Sequence, residues 1–192
     1  IDAKSMEFSR VMINGKSVQF KNSGKTLDLF EGFKKGKNKL TFSYSAKPKQ
    51  TLYFTGEGEN LQIWTQGQGK DTSNWLPSFD DANEKVIFNL SVNFSNNFEI
   101  LSNGKLTKTS IHKKRNDKTC FYDMQNPMSS YLLMLAIGKF DKEILQSKSG
   151  IPLEYYLKFE NKNNFISTYK FSKVIFDFFE TEIGVKYPWK IY

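Results

Sequence analysis

Residues 8–20 read FSRVMINGKSVQF, two segments of alternating apolar and polar residues joined by Asn14-Gly15. Asparagine followed by glycine tolerates the positive φ angles that a two-residue hairpin turn requires. The same alternation recurs in residues 86–94, VIFNLSVNF, where every second residue is apolar. A period of two places the apolar side chains on one face, so both stretches predict strands with one buried and one exposed face.

Most of the chain before residue 147 is typical of short strands separated by turns. Further strands are predicted at residues 26–30, 40–46, 50–54, 61–65, 120–124 and 131–137. A second hairpin is predicted at Asn103-Gly104, between residues 98–101 and 105–111. These elements predict a mostly β fold, with an antiparallel sandwich-like domain over residues 1–147.

The pattern changes after residue 147. Residues 153–159 predict one more strand, and five apolar residues then recur at helical spacing: Phe171, Val174, Ile175, Phe178 and Phe179. This spacing predicts one amphipathic helix that ends at Gly184. One strand and one helix cannot bury the stripe, so we expect it to pack on the β-domain or on a domain that the chain lacks. We favour the second alternative and interpret residues 148–192 as the truncated start of a second domain.

Composition excludes several classes of site. The chain has one Cys and one His, so a disulfide within the chain, a zinc site of four Cys or His ligands and an H-E-x-x-H zinc motif cannot form. Cys120 lies inside an apolar strand, which favours a buried structural thiol over a nucleophile. One Cys fits reducing and oxidising compartments alike, so the compartment is left open. No apolar run approaches the ~20 residues of a membrane span.

The charge is positive but scattered. The formal net charge is +8, and the cations form only two short runs, at residues 34–37 and 112–115, beside turn residues. Binding to nucleic acid needs clustered cations, so we predict solvated loops rather than a nucleic-acid surface.

A candidate binding edge lies in residues 62–69, QIWTQGQG. Strand alternation would place Trp64, Gln66 and Gln68 on one face, while Gly67 and Gly69 would let another backbone or a ligand approach closely. The amide of glutamine can accept a hydrogen bond from an ammonium or donate one to a carbonyl. The alternative is an amide-rich strand end and turn without a ligand.

Two neighbouring features have structural interpretations. Asp80-Asp81 could bind a cation, but it follows Pro77 and favours turn or cap hydrogen bonds. We likewise predict core or interface packing, rather than sugar stacking, for the three tryptophans: Trp64, Trp75 and Trp189.

Several motifs occur in a recognisable order. Residues 62–68 are similar to a T-Q-x-E motif, and residues 75–85 are similar to a W-F-P-x-x-D-x-P-x-x-K motif. The likeness starts as early as Asp2-Ala3-Lys4. Three more motifs follow in order. The first is an S-N-G turn at Ser102–Gly104, and the second is a P-M-x-x-Y-L strand at Pro127–Leu132 with A-x-G at Ala136–Gly138. The last is a Y-P-W stretch at Tyr187–Trp189. Together they resemble the aminopeptidase N family of zinc metallopeptidases, which includes leukotriene hydrolase.

The resemblance implies a saddle-like β-domain over residues 1–147 and, from about residue 148, the start of a thermolysin-like α+β catalytic domain. It also implies a fragment truncated at both ends, because the family's first strands, its G-x-M-E-N loop and its H-E-x-x-H helix have no counterpart here. The parent would remove amino-terminal residues from peptides with zinc-activated water. The fragment alone is expected to hold no zinc and to be inactive, and the missing catalytic domain is expected to pack on it.

The resemblance places one element of the active site in this chain. In the family, the last residue of T-Q-x-E and the Gln before it hold the substrate's free α-amino group, and these positions correspond to Gln68 and Gln66. Most family members have Glu where this chain has Gln68, so the contact here would be a neutral amide, as in leukotriene hydrolase. No catalytic or metal-binding residue is expected among the 192.

Two other classes of function stay open on the sequence. A family-like protein that has lost its zinc ligands would serve as an interaction scaffold, and the motif that separates it from an enzyme would follow Tyr192. A sugar-binding β-sandwich would instead need exposed, coplanar Trp side chains, but it gives no account of the ordered motifs.

Overall fold

The fold is mostly β, as the sequence predicts, and a computed structural model describes it for residues 1–158 and 164–192. The chain forms two compact units, each assembled from three stretches of sequence. The first unit comprises Ile1–Phe54, Trp64–Val86 and Met128–Met134, and the second comprises Thr55–Ile63, Ile87–Pro127 and Leu135–Tyr192.

Short strands are the main regular elements, and the two α-helices of the described residues lie near the carboxyl end. The strands are β1 (Met6–Ile13), β2 (Lys16–Ser17), β3 (Phe20–Asn22), β4 (Leu27–Leu29), β5 (Leu40–Ala46), β6 (Leu52–Thr55), β7 (Gln62–Thr65), β8 (Lys85–Val86), β9 (Asn89–Ser95), β10 (Glu99–Ser102), β11 (Lys105–His112), β12 (Asp117–Asp123), β13 (Met128–Ser129), β14 (Leu135–Gly138), β15 (Asp141–Gln146) and β16 (Pro152–Leu157). The α-helices are α1 (Phe165–Tyr169) and α2 (Ser172–Ile183), and single 3-10 turns lie at Gly58–Asn60, Thr72–Asn74 and Ser130–Leu132.

The predicted first hairpin is confirmed, but its second arm is divided. Asn14 has φ 52° and Gly15 has φ 83°, the signs that a primed turn requires, and β1 pairs with β2 across them. The chain then leaves this ladder, because the N–H of Gln19 donates to the Glu31 carboxylate at 3.1 Å. In the rest of the predicted arm, Val18 and Gln19 lie outside the strands, and Phe20 begins β3, which pairs with β4.

The core of the first unit lies beneath β1. Ala3, Met6, Val11 and Leu27 are buried together, and half-buried aromatic side chains pack around them. Phe8 makes an edge contact with Phe42, with ring centroids 5.8 Å apart. β1 also pairs with β5 from Met6 to Ile13, while β2 pairs on the opposite edge with only the last two residues of β1. This ladder fixes the amino-terminal segment that approaches the candidate binding edge.

The second unit contains an antiparallel sheet in the order β11-β12-β9. Its strand β9 shows the predicted alternation, with half-buried Leu90, Val92 and Phe94 between exposed polar residues. The predicted hairpin at Asn103-Gly104 is wrong, because the flanking strands β10 and β11 pair with β14 and β12 instead. Gly104 has φ 83° and lies against the carbonyl of Asp123, so the turn directs the chain into a different ladder.

The carboxyl-terminal part contains the predicted strand and helix. β16 pairs with β15, and the predicted end of this strand at Phe159 lies outside the described residues. α2 ends at Gly184, which has φ 70°, as predicted. The predicted domain boundary at residue 147 stays a prediction, and it falls in the loop between β15 and β16.

The predicted apolar stripe of α2 is exposed. Its five residues are between 51% and 64% accessible: Phe171, Val174, Ile175, Phe178 and Phe179. The helix buries a different pair, Phe176 and Asp177, and the ring of Phe176 packs against Tyr187 at 5.4 Å. Within the part of the chain that the structure describes, no helix is both long and apolar enough to cross a lipid bilayer.

Candidate functional site

The candidate edge begins where β7 ends. The strand stops at Thr65, and the N–H of Gln66 then donates to the carbonyl of Thr51 at 2.7 Å. Gln68 begins a turn, so the strand that was expected to include Gln68 ends before it. The alternation nevertheless continues in the exposure of the side chains, because Gln66 and Gln68 are exposed while Gly67 between them is buried.

Gly67 allows another backbone to approach, which is one of the two roles expected for it. A Cβ atom at this position would lie 2.8 Å from the carbonyl oxygen of Tyr131 and 3.2 Å from the hydroxyl oxygen of Thr72. Gly69 has a different role, since its φ of 95° supports the turn and its surroundings are open. The segment that carries the two amides is therefore held against a second stretch of backbone.

The side-chain amides of Gln66 and Gln68 face solvent. Among residues 1–158 and 164–192, neither amide has a hydrogen-bond partner. Each can therefore offer a carbonyl oxygen and an NH₂ group to a ligand without first breaking an internal bond. The amide pair carries no charge, so binding of a cation would depend on the carbonyl dipoles.

Two buried threonines lie beside this segment and were not found from the sequence. Thr51 and Thr72 are each 1% exposed, and their hydroxyl oxygens have no hydrogen-bond partner among the described residues. Thr51 also has φ 76°, an uncommon and strained angle for a β-branched residue. Its carbonyl is the group that receives the Gln66 N–H, so the strained residue anchors the amide segment.

A charged cluster fixes the loop that follows Gln68. The ammonium of Lys4 donates to the carbonyl of Lys70, lies 3.2 Å from Asp71 Oδ1 and lies 3.5 Å from Asp80 Oδ2. The Asp80 side chain is only 6% exposed, and Oδ1 of its carboxylate accepts from the Ser78 hydroxyl at 2.9 Å. Sequence reasoning found Asp80 but missed Lys4, whose only signal was its place in the opening Asp-Ala-Lys motif.

The acidic pair makes structural hydrogen bonds, as predicted. Asp80 accepts from the N–H and the hydroxyl of Ser73, and Asp81 accepts from the N–H of Asn83 at 2.9 Å. Nearby, the hydroxyl of Tyr44 donates to the carbonyl of Trp75 at 3.0 Å. Burial raises the pKa of Tyr44, so it stays a neutral donor at physiological pH.

The tryptophans differ in exposure. Trp64 stacks on Tyr53 with centroids 4.5 Å apart and is 37% exposed, whereas Trp75 and Trp189 are half-buried. Trp189 packs against Tyr187 with centroids 5.3 Å apart. The predicted core or interface packing is therefore wrong for Trp64, which is exposed and contacts the ring of Tyr53 on one face, whereas Trp75 and Trp189 are half-buried.

The described residues do not fit a zinc site. Cys120 is 3% exposed within β12, which confirms the predicted buried thiol, and the imidazole of His112 is within 3.2 Å of the Thr119 hydroxyl. Over residues 1–158 and 164–192, no group of three or more His, Cys, Asp or Glu side chains is placed to hold a metal ion. The basic run at residues 34–37 is exposed in a loop, as predicted.

Comparisons with known proteins identify the family. A family profile described as the Peptidase M1 N-terminal domain matches residues 1–132. Glutamyl aminopeptidase of Bitis rhinoceros is 32% identical over 140 residues, which are 71% of this chain and 15% of that protein. Leucyl aminopeptidase of Saccharolobus solfataricus is 24% identical over 155 residues, 79% of this chain and 19% of the relative.

Solved structures show the same fold at low identity. Aminopeptidase A of Legionella pneumophila, in complex with aspartic acid, matches with a TM-score of 0.84 and 14% identity over 99% of this chain and 23% of its own. An M1 zinc metallopeptidase variant from Deinococcus radiodurans matches with a TM-score of 0.79 and 14% identity, over 100% of this chain and 46% of its own. This chain thus spans about a seventh to a fifth of these two curated relatives. The resemblance drawn from the motifs is confirmed, and the chain belongs to the M1 family of zinc metallopeptidases, whose N-terminal domain it contains.

Proposed function

We propose that this chain is part of a zinc-dependent aminopeptidase and that Gln68, with Gln66, holds the α-amino group of the peptide substrate. The observation that carries the proposal is the pair of exposed amides without internal partners, among the described residues, on either side of the buried Gly67. Two carbonyl oxygens on one short segment can accept hydrogen bonds from a single ammonium. The names of the curated relatives, which are aminopeptidases, support this proposal.

The physical basis of the proposal is discrimination between chain ends. A substrate with a free amino terminus donates to both amides, whereas an internal peptide bond brings a single N–H and leaves one amide unpaired. Loss of a hydrogen bond to a charged group costs about 1.5–3 kcal/mol. A site built to bind the ammonium therefore favours amino-terminal substrates by differential binding. The neutral amides give a weaker attraction than a carboxylate would, but they also need less desolvation.

The catalytic groups of the proposed enzyme would lie outside these residues. The described part of the chain has no group of three His, Cys, Asp or Glu side chains placed to hold a zinc ion, and the matched region is only 15% of the first relative. The exposed stripe of α2 lies by an apolar groove of about 550 Å³ lined by residues such as Ile175, Phe179 and Val185. We infer that a catalytic domain packs against this surface, and that the 192 residues alone neither hold catalytic zinc nor hydrolyse peptides.

The test is a charge substitution in the full-length protein. Gln68→Glu adds a carboxylate where the proposal places the ammonium, so we expect KM for amino-acid anilides to fall by about fivefold, the equivalent of about 1 kcal/mol. Gln68→Ala should raise KM. The matched control is Gln19→Glu, which adds the same charge at another exposed glutamine of the first unit. If both KM and kcat are unchanged in the two Gln68 variants, Gln68 is not the amine anchor.

A further inference from the structure

The turn that carries Gln68 is fixed at both of its ends. Before the turn, the N–H of Gln66 donates to Thr51 and Gly67 lies against Tyr131. After the turn, the carbonyl of Lys70 accepts a hydrogen bond from the ammonium of Lys4, which is 66 positions earlier in the chain. The position of Gln68 therefore depends on a side chain that lies far from it in sequence.

The ammonium of Lys4 joins two parts of the loop, the adjacent residues Lys70 and Asp71 and the more distant Asp80. It contacts the carbonyl of Lys70 at the end of the turn, Asp71 Oδ1 at 3.2 Å at the start of the 3-10 turn, and Asp80 Oδ2 at 3.5 Å beyond it. Two of the three N–H donors of the ammonium are used in hydrogen bonds, to Lys70 and Asp71, and the Asp80 carboxylate adds an ion-pair contact. The side chain of Gln50 also donates to Asp71 Oδ1, at 3.0 Å.

Lys4 is itself held in place by backbone hydrogen bonds. Its N–H donates to the carbonyl of Ser73 at 2.8 Å. Asp2 exchanges two hydrogen bonds with the backbone of Ser78, and its carboxylate accepts from the N–H of Asp80 at 2.9 Å. The amino-terminal segment and the loop after Gln68 are thus joined by hydrogen bonds. The backbone of Lys4 is held in place against this loop.

We infer that Lys4 is a positioning residue for the amine-binding turn: it fixes the carbonyl of Lys70 and thereby the direction in which the Gln68 amide points. The inference rests on the proposed function of Gln68. Lys4 does not contact the substrate amine, since its own charge would repel an ammonium. Its effect on binding passes through the backbone of the turn, and a misplaced amide loses affinity for an amine while the rest of the substrate still binds.

The test measures selectivity for the amine rather than stability. In the full-length enzyme, the inhibition constants of leucine hydroxamate and of 4-methylpentanohydroxamate, which lacks the amino group, are compared. The constant of the analogue without the amine, divided by that of leucine hydroxamate, reports the contribution of the amine alone. We expect Lys4→Met to lower this ratio by about tenfold, and Lys4→Arg, which keeps the charge and the donors, to restore most of it.

Two further variants separate positioning from folding. Lys4→Met leaves the buried carboxylate of Asp80 without its cation, which could destabilise the fold. The double variant Lys4→Met/Asp80→Asn also removes the negative charge of Asp80. We expect it to fold and to show the same lowered ratio of inhibition constants as Lys4→Met. Lys25→Met, at an exposed lysine of the first unit, should leave the ratio unchanged. A purely structural role for Lys4 would lower Tm in the single variant without changing the ratio, and that result would overturn the inference.

Gln68→Ala is measured in the same assay to distinguish the two proposals. If Gln68→Ala lowers the ratio and neither Lys4→Met protein does, only the inference about Lys4 fails. If Gln68→Ala leaves the ratio unchanged, the proposed function of Gln68 fails and the inference fails with it.

Discussion

Gly67→Ala tests whether close backbone contact builds the amide segment. The added Cβ would lie 2.8 Å from the carbonyl oxygen of Tyr131, roughly half an ångström closer than an ordinary carbon–oxygen contact of about 3.3 Å. Overpacking of this kind costs about 1–3 kcal/mol, and the loss of freedom in the unfolded chain offsets about 0.4–1 kcal/mol of it. We therefore expect a net destabilisation of about 1–2 kcal/mol.

For a chain of this size, that free energy corresponds to a fall in Tm of about 2–8 °C, measured by circular dichroism. The control is the same substitution in a Thr72→Ala background, which removes the hydroxyl 3.2 Å from the added methyl group but leaves the carbonyl of Tyr131 in place. The cost of alanine at position 67 should persist there. An unchanged or higher Tm in Gly67→Ala, or a cost that disappears in the Thr72→Ala background, would refute the reasoning.

Two other predictions concern stability. Thr72→Val removes a buried hydroxyl that has no partner among the described residues while keeping its shape, so we expect the free energy of unfolding in urea to rise by about 1 kcal/mol; a decrease would show that the hydroxyl is satisfied. The ammonium of Lys173 and the N–H of Lys148 hold the pKa of Asp177 below its ordinary value, so the carboxylate stabilises the fold above about pH 4 and less as the pH falls through the lowered pKa. Asp177→Asn should therefore destabilise the protein at pH 7, and the difference from the native chain should shrink at pH 3; a difference that is the same at both pH values would contradict the linkage.

Local chemistry explains which elements could be predicted from the sequence. The hairpin at Asn14-Gly15 and the end of α2 at Gly184 depend on φ angles that a few neighbouring residues decide, and both are observed. Asn103-Gly104 has the same local signal, but β10 and β11 find their partners in β14 and β12. A turn signal indicates where the chain reverses, while the choice of partner strand depends on burial across the whole unit.

The candidate site likewise has residues that the sequence predicts and residues that only the fold brings together. Gln66, Gly67 and Gln68 are visible as a short motif, and the motif also predicted that another backbone or a ligand would approach Gly67, where the backbone of Tyr131 lies. Thr51 and Lys4 could not be found in this manner. Their contributions are a strained backbone angle and a set of contacts between residues 66 to 76 positions apart, which no local pattern encodes. Long-range contacts of this kind become apparent only in the folded chain.

The neutral amides on either side of Gly67 have a consequence for regulation by acidity. A carboxylate in their place would gain a proton in acid and lose its attraction for an amine, whereas an amide does not titrate in water. Binding at Gln66 and Gln68 would then follow only the protonation of the incoming amino group, whose ordinary pKa is about 7.7–8.0. Rotation of the amide also exchanges its acceptor and donor ends, so the same side chain can meet an ammonium or a neutral amine. Such a pair would still bind peptide ends in acidic surroundings where a carboxylate anchor would release them.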